Sequence, residues 1–213
     1  MDVSISILGV DYKNVEESLK EVLPLVDYVH LDVMDGEFVP NISFGPSFIK
    51  SIREINKEIP FDTHLMIMHP QKYIEDFVKA GSQYITFHVE ADCDVMETIN
   101  LIKSYNVGCG ISIKPKTTVE EIKKYLPYVD MVLVMSVEPG FGGQKFMPNS
   151  IDKVKELKEL KDKNNYNYLI NIDGVINGDT AKYIAPYVDL AVSGSYLTGS
   201  DEKETRVKYL KSL

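Results

Sequence analysis

The sequence predicts a single α/β domain over residues 1–213, folded as a closed (β/α)8 TIM barrel. Three observations point there. Eight short β-branched runs alternate with amphipathic segments, the order that produces right-handed βαβ crossovers and a parallel sheet. One connection recurs: Pro24-Leu-Val-Asp27, Pro127-Tyr-Val-Asp130 and Pro186-Tyr-Val-Asp189 each close an amphipathic segment and open an apolar run. The 213 residues leave about 27 per unit, which suffices when connections are short. A doubly wound open sheet, the competing architecture, would leave edge strands and usually holds fewer units.

The strand candidates are, in order, Val3–Leu8, Tyr28–Val33, Phe61–Ile67, Tyr84–Val89, Gly108–Ile113, Met131–Ser136, Tyr168–Ile172 and Leu190–Ser193. Helix starts lie between them. Asn14 precedes Val15, Leu19, Val22 and Leu23, spaced for one helical face, with Glu17 three residues after the expected cap. Thr118-x-x-Glu121 forms a capping box before Ile122, Tyr125 and Leu126. Asn149 and Ser150 open a segment carrying Ile151, Val154, Leu157 and Leu160. Its lysines interleave with acids, and Lys155/Glu159, Lys158/Asp162 and Glu159/Lys163 sit at i, i+4, which marks a solvated helix face.

Composition excludes several classes. With 44% hydrophobic residues and 21 Tyr and Phe, the chain is not disordered. Its longest apolar run, Met131 to Met135, is too short to span a membrane. A net charge of −9 disfavours nucleic acid and anionic membranes, so an anionic substrate must be met by local groups. Met-Asp-Val-Ser-Ile-Ser at the start has no signal-peptide pattern, and Cys93 and Cys109 lack a CxxC spacing. Two reduced thiols in a cytoplasmic protein are expected.

Alternation along the strands selects the chemistry. Tyr28, His30 and Asp32 share one face and Val29, Leu31 and Val33 the other; if the apolar set packs on helices, the polar set looks into the barrel. His64 pairs with Met66 on the third strand, and Asn171 with Asp173 on the seventh. His30, Asp32, His64 and Asp173 thus aim at the C-terminal mouth, the face that carries chemistry in such barrels. Two imidazoles and two carboxylates suit one divalent transition ion, Zn, Fe, Mn or Co. Gly140, Gly142 and Gly143 after the sixth strand, Asp173-Gly174 after the seventh and Gly194-Ser195 after the eighth let backbone N–H groups approach an anion, where these barrels bind phosphate.

The chain resembles the ribulose-phosphate 3-epimerase family across nearly its whole length. The resemblance is carried in order by Ser6-Ile-Leu8, His30-Leu-Asp-Val-Met-Asp-Gly36, Phe38-Val-Pro-Asn41, His64-Leu-Met66, Phe87-His-Val-Glu90, Val134-Met-Ser-Val-Glu-Pro-Gly-Phe-Gly-Gly-Gln144, Ile172-Asp-Gly174 and Gly194-Ser195. It implies metal-dependent 3-epimerisation of a phosphorylated ketose, D-ribulose 5-phosphate to D-xylulose 5-phosphate, with D-allulose 6-phosphate as the alternative. It places metal ligands on His30, Asp32, His64 and Asp173, acid/base roles on Asp32 and Asp173, and substrate contacts on Ser6, His64, Met34, Met66 and Met135. Phosphate contacts fall on Gly140, Phe141, Gly142, Gly143, Gly174, Val175, Gly194 and Ser195. It also implies a homo-oligomer.

Some positions depart from the family pattern. Val175 stands where a second glycine is usual, Lys114-Pro115 replaces Asn-Pro, and Gly9-Val10 replaces a more polar pair. None is a ligand, so they bear on sugar and phosphate recognition. Asp32-Val-Met-Asp35 lacks the lysine of the Asp-x-Lys-x-x-Asp barrels that decarboxylate or perform aldol chemistry. The competing activities are a metal-dependent phosphate-ester hydrolase and a non-catalytic sugar-phosphate-binding barrel. His88 is expected to hydrogen-bond within the mouth, and His69 to be exposed in a loop.

Overall fold

A computed structural model describes all of residues 1–213. Eight parallel strands close into one barrel in chain order. They are β1 (Asp2–Ser6), β2 (Tyr28–Met34), β3 (Phe61–Met66), β4 (Tyr84–His88), β5 (Gly108–Ile113), β6 (Met131–Met135), β7 (Leu169–Asp173) and β8 (Leu190–Ser193), and β1 pairs with β8 to shut the ring. The outer layer is α1 (Val15–Val22), α2 (Pro46–Ile55), α3 (Ile74–Lys79), α4 (Val95–Ser104), α5 (Val119–Ile122), α6 (Asn149–Asn164), α7 (Ala181–Ile184), α8 (Ser195–Thr198) and α9 (Lys203–Ser212). No helix is long and apolar enough to cross a membrane.

The core lies between strands and helices. Val3, Ile5, Val29, Leu31, Ile85, Phe87, Ile170 and Ile172 face outward and pack with helix residues such as Leu19, Ile49, Ile99 and Leu157, all fully buried. The opposite alternation turns Ser4, His30, Asp62, His64, Thr86, Ser112 and Asn171 into the barrel, also fully buried.

The recurring Pro-x-Val-Asp connections have a common physical cause. Asp27 Oδ2 accepts from the Val3 amide (2.9 Å), Asp130 Oδ2 from Cys109 (2.9 Å) and Asp189 Oδ2 from Ile170 (2.8 Å). Each aspartate's own N–H donates back to the carbonyl of that same residue. The carboxylates are paired with Lys211, Lys103 and Lys161 respectively.

The expected strands all form, with shifted ends. β1 stops at Ser6 rather than Leu8, because the Ser6 hydroxyl accepts from the Leu8 amide (3.3 Å) and Ile7–Gly9 curl into a 3-10 turn. β7 reaches Asp173, putting that carboxylate on the strand itself. The capping box at Thr118 forms, its amide donating to Glu121 Oε2 (2.7 Å). Asn14 does not cap α1; its side chain reaches back to Asp11 instead. Of the three ion pairs expected on α6, Lys158–Asp162 forms.

Candidate active site

Register brings the site together. Asp32 stands beside His64, and His30 beside Asp62, across the β2–β3 seam, while Asp173 stands beside Met135 across β6–β7. One ligand-type atom from each of His30, Asp32, His64 and Asp173 lies within 4.8 Å of all the others. Three of these donors form a tighter triangle. His30 Nε2, His64 Nδ1 and Asp32 Oδ1 are 3.1 to 3.3 Å apart. A tetrahedral ion with bonds of about 2.0–2.1 Å has ligand–ligand edges of about 3.3 Å, so the donors fit a divalent transition ion.

Each donor is oriented from behind. His30 Nδ1 lies 2.9 Å from Asp62 Oδ2, turning Nε2 toward the cluster. Fully buried Asp62 also accepts from Thr86 Oγ1 (2.7 Å) and Asn171 Nδ2 (3.2 Å). Asp32 Oδ2 accepts from the Ser6 hydroxyl (2.8 Å). His64 Nε2 lies 2.8 Å from His88 Nε2, and His88 Nδ1 lies 3.1 Å from Glu90 Oε2.

These surroundings split the two carboxylates. Burial works to raise Asp32, but His30 and His64 overturn it and hold the group far below the usual carboxylate range. Burial, joined by the Asp32 charge, pushes Asp173 up to about 6. Burial works to lower His30, yet Asp32 and Asp62 raise it well above its ordinary value. A divalent cation at the cluster would replace that proton. Burial lowers His88 to about 4.

Above the cluster opens a cavity of about 290 Å³. Ser6, Asp32, Met34, Met66, Met135 and Asp173 line its floor and sides, and His30 and His64 lie fully buried within the cluster. The loops after β6, β7 and β8 complete its wall with every residue expected to contact phosphate: Gly140, Phe141, Gly142, Gly143, Gly174, Val175, Gly194 and Ser195. The backbone N–H groups of Gly142, Gly143, Val175, Gly194 and Ser195 make no hydrogen bond within the protein, so this wall offers several donors to an anion.

Two conformations shape that wall. Gly174 sits at φ +119, where an added Cβ would lie 2.8 Å from both Ser136 Oγ and Val137 Cγ2. Val175 follows at φ +55, unusual for a β-branched residue. Its side chain packs on the small cluster of Leu133, Met135 and Val137, and its carbonyl accepts from Thr180 Oγ1 (2.8 Å). Across the mouth, Asn41 Nδ2 donates to the Gly140 carbonyl (2.7 Å) and ties the loop after β2 to the loop after β6.

Sequence reasoning missed Asp62, although the alternation that selects His64 and Met66 also turns Asp62 inward. It gave Glu90 no role. His88 hydrogen-bonds in the mouth as expected. His69 is half-buried rather than exposed, because its Nδ1 lies 3.2 Å from the Asp92 carbonyl in the neighbouring loop.

Residues 2–198 match the profile of the ribulose-phosphate 3 epimerase family. A ribulose-phosphate 3-epimerase of Aquifex aeolicus (strain VF5) is 40% identical over 210 residues, covering 98% of this chain and 94% of that protein. One from Bacillus subtilis (strain 168) is 38% identical, covering 98% and 97%. The chain belongs to the ribulose-phosphate 3-epimerase family. Membership makes it an isomerase acting on carbohydrates. Solved structures show the same fold at much lower identity. A 3-hexulose-6-phosphate synthase of Salmonella typhimurium superposes with a TM-score of 0.77 at 16% identity, covering 100% of this chain and 97% of that one. KGPDC from Streptococcus mutans gives 0.73 at 11% identity, covering 99% and 95%.

Proposed function

We propose that residues 1–213 form one catalytic domain that interconverts D-ribulose 5-phosphate and D-xylulose 5-phosphate by inversion at C3. The observation that carries this is the convergence of Asp32 and Asp173, from β2 and β7, with two imidazoles beneath a cavity whose lining includes a set of free backbone donors. Inversion requires a proton to leave C3 on one face and return on the other. Asp32 and Asp173 serve as the two proton carriers, one removing and the other delivering, with roles exchanged for the reverse direction. The opposite shifts of their acidities suit this division, one carboxylate held firmly ionised and the other easily protonated near neutral pH. Ser6 holds Asp32 in place through its hydroxyl.

His30, Asp32, His64 and Asp173 would hold a divalent ion, which when bound supplies Lewis-acid stabilisation of the charge developing on the C2 oxygen. Met34, Met66 and Met135 pack the planar enediolate left when the C3 proton departs with polarizable, apolar sulfur and exclude water. The phosphate sits against Gly140–Gly143, Gly174–Val175 and Gly194–Ser195, whose N–H groups meet its charge without a net positive field. Family resemblance further supports assembly as a homo-oligomer.

The test is NMR of C3 proton exchange in D2O with ribulose 5-phosphate and allulose 6-phosphate side by side, after elemental analysis of the purified protein and with a chelator control. Inversion with solvent deuterium at C3, faster for the pentulose and lost on chelation, is expected. Phosphate release would instead establish a hydrolase, and ligand binding without exchange a binding barrel. Preference for the hexulose would move the assignment to the sister activity.

A further inference from the structure

We propose that Glu90 is a positioning residue: acting through His88, it fixes which nitrogen of His64 carries the proton, so that His64 presents a bare Nδ1 to the cation cluster. This rests on the metal reading of that cluster given above.

Proton placement along the row has one solution once its far end is fixed. Glu90 Oε1 accepts from the Lys114 amide (2.7 Å) and from the Thr117 hydroxyl, which leaves Oε2 facing His88 Nδ1 at 3.1 Å. A carboxylate only accepts, so Nδ1 of His88 carries the proton. The ring is fully buried, and with its proton committed to Glu90 at Nδ1, Nε2 is the accepting nitrogen. The nitrogen opposite, His64 Nε2 at 2.8 Å, is therefore the donor. With the His64 ring proton committed to His88 in this way, Nδ1 is left bare, 3.1 Å from Asp32 Oδ1 and 3.3 Å from His30 Nε2. A nitrogen lone pair facing a carboxylate oxygen is repulsive unless a positive charge lies between them. The row thus builds demand for a cation at the cluster from a residue that does not touch it.

The rings are held for this task. Phe38 lies against His88 with centroids 4.8 Å apart, and Lys114 Nζ lies 3.7 Å from the Phe38 centroid. Lys114, a departure from the family pattern, thus helps to seat the row with both its amide and its ammonium group.

Glu90→Gln separates proton placement from packing, because it changes hydrogen-bond polarity with almost no change of shape. If the amide oxygen keeps the Lys114 and Thr117 donors, its NH2 faces His88 and donates. His88 must then carry its proton on Nε2, His64 must accept there, and the His64 proton moves to Nδ1 inside the cluster. Two measurements test this. Long-range ¹H–¹⁵N NMR of the metal-free wild-type protein at pH 8 should show His64 protonated on Nε2 and His88 on Nδ1. Co²⁺ titration against a chelating dye should show Glu90→Gln binding about 10–100-fold more weakly than wild type, with an unchanged far-UV circular dichroism spectrum for the metal-free protein. A wild-type His64 protonated on Nδ1, a charged His88, or undiminished Co²⁺ affinity in Glu90→Gln would overturn the assignment. If Glu90→Gln does not fold, the wild-type NMR decides. Failure of wild type to bind Co²⁺ would sink the metal reading instead, while the NMR still judges the role of Glu90.

Discussion

Asp173→Asn separates a two-carboxylate mechanism from any scheme with one base. Asparagine keeps the size of the side chain and an oxygen toward the cluster, but it neither takes nor gives the proton at C3. In the native protein burial and the Asp32 charge hold Asp173 at about 6, so at neutral pH it is mostly ionised yet readily protonated. Losing one positioned acid/base group typically costs about 10²–10⁴ in rate, or about 3–5 kcal/mol of barrier. Epimerisation should fall by that factor. Asp32 is intact on the other face, so the C3 proton of one epimer should still wash out into D2O while the other epimer keeps its own. The assay offers each epimer separately, follows deuterium at C3 and inversion by NMR, and checks metal content on the same sample. Inversion within tenfold of wild type, or equal washout from both epimers at full metal content, would refute the division of labour between β2 and β7.

Three further outcomes are expected. Gly174→Ala places a Cβ 2.8 Å from Ser136 Oγ and Val137 Cγ2 at a φ of +119, so it should strain the phosphate wall by about 1–3 kcal/mol and raise KM for the phosphorylated sugar more than it lowers kcat. Steady-state kinetics read that split, and an unchanged KM would remove Gly174 from the phosphate site. Asp130→Ala leaves the buried Cys109 amide without its carboxylate and should cost about 1–3 kcal/mol in urea unfolding, with activity per folded molecule unchanged. A loss below about 0.5 kcal/mol would show that the connection is dispensable. For Glu90, burial favours a higher value, but His88, Thr117 and the Lys114 amide bring it from 4.5 down to about 2. A carboxyl lowered on folding stabilises above its unfolded value and loses that contribution as pH falls through the folded one. Wild type should therefore lose about 3 kcal/mol more stability than Glu90→Gln between pH 4.5 and 2, read from urea midpoints in that window. Parallel curves would mean that the native carboxylate is not so strongly held.

Much of the site was legible because strand alternation is a rigid rule. Once Val29, Leu31 and Val33 are given to the helices, His30 and Asp32 have nowhere to point but inward, and β7 places Asp173 by the same logic. The glycines after β6, β7 and β8 were legible because close anion approach favours them, and Gly140, Gly143 and Gly174 also take positive φ. What the pattern could not carry was partnership. Nothing in the spacing says that Ser6 reaches Asp32 or that Asp62 backs His30, since these contacts depend on the stagger between strands. Local hydrogen-bond competition was equally hidden. The Ser6 hydroxyl ends β1 two residues early by claiming the Leu8 amide, and Asn14 bonds to Asp11 instead of capping α1. Val175 is the opposite case: the residue type argues against a left-handed backbone, and the fold imposes one, with Thr180 bonded to the carbonyl.

The reciprocal aspartate contacts beneath the strands have a wider consequence. Each clips one strand to the start of the strand before it at two points, side chain to amide and amide to carbonyl, so neither can slide along the other. In a closed ring the offsets between neighbours must sum to a fixed total, so locking the β1–β2, β5–β6 and β7–β8 seams also fixes the sum of the remaining five. Alignment is thus set at the end of the barrel remote from the chemistry. The loops at the open end can then be lengthened, shortened or rewritten for a new sugar without the risk that Asp32 slips out of step with Ser6.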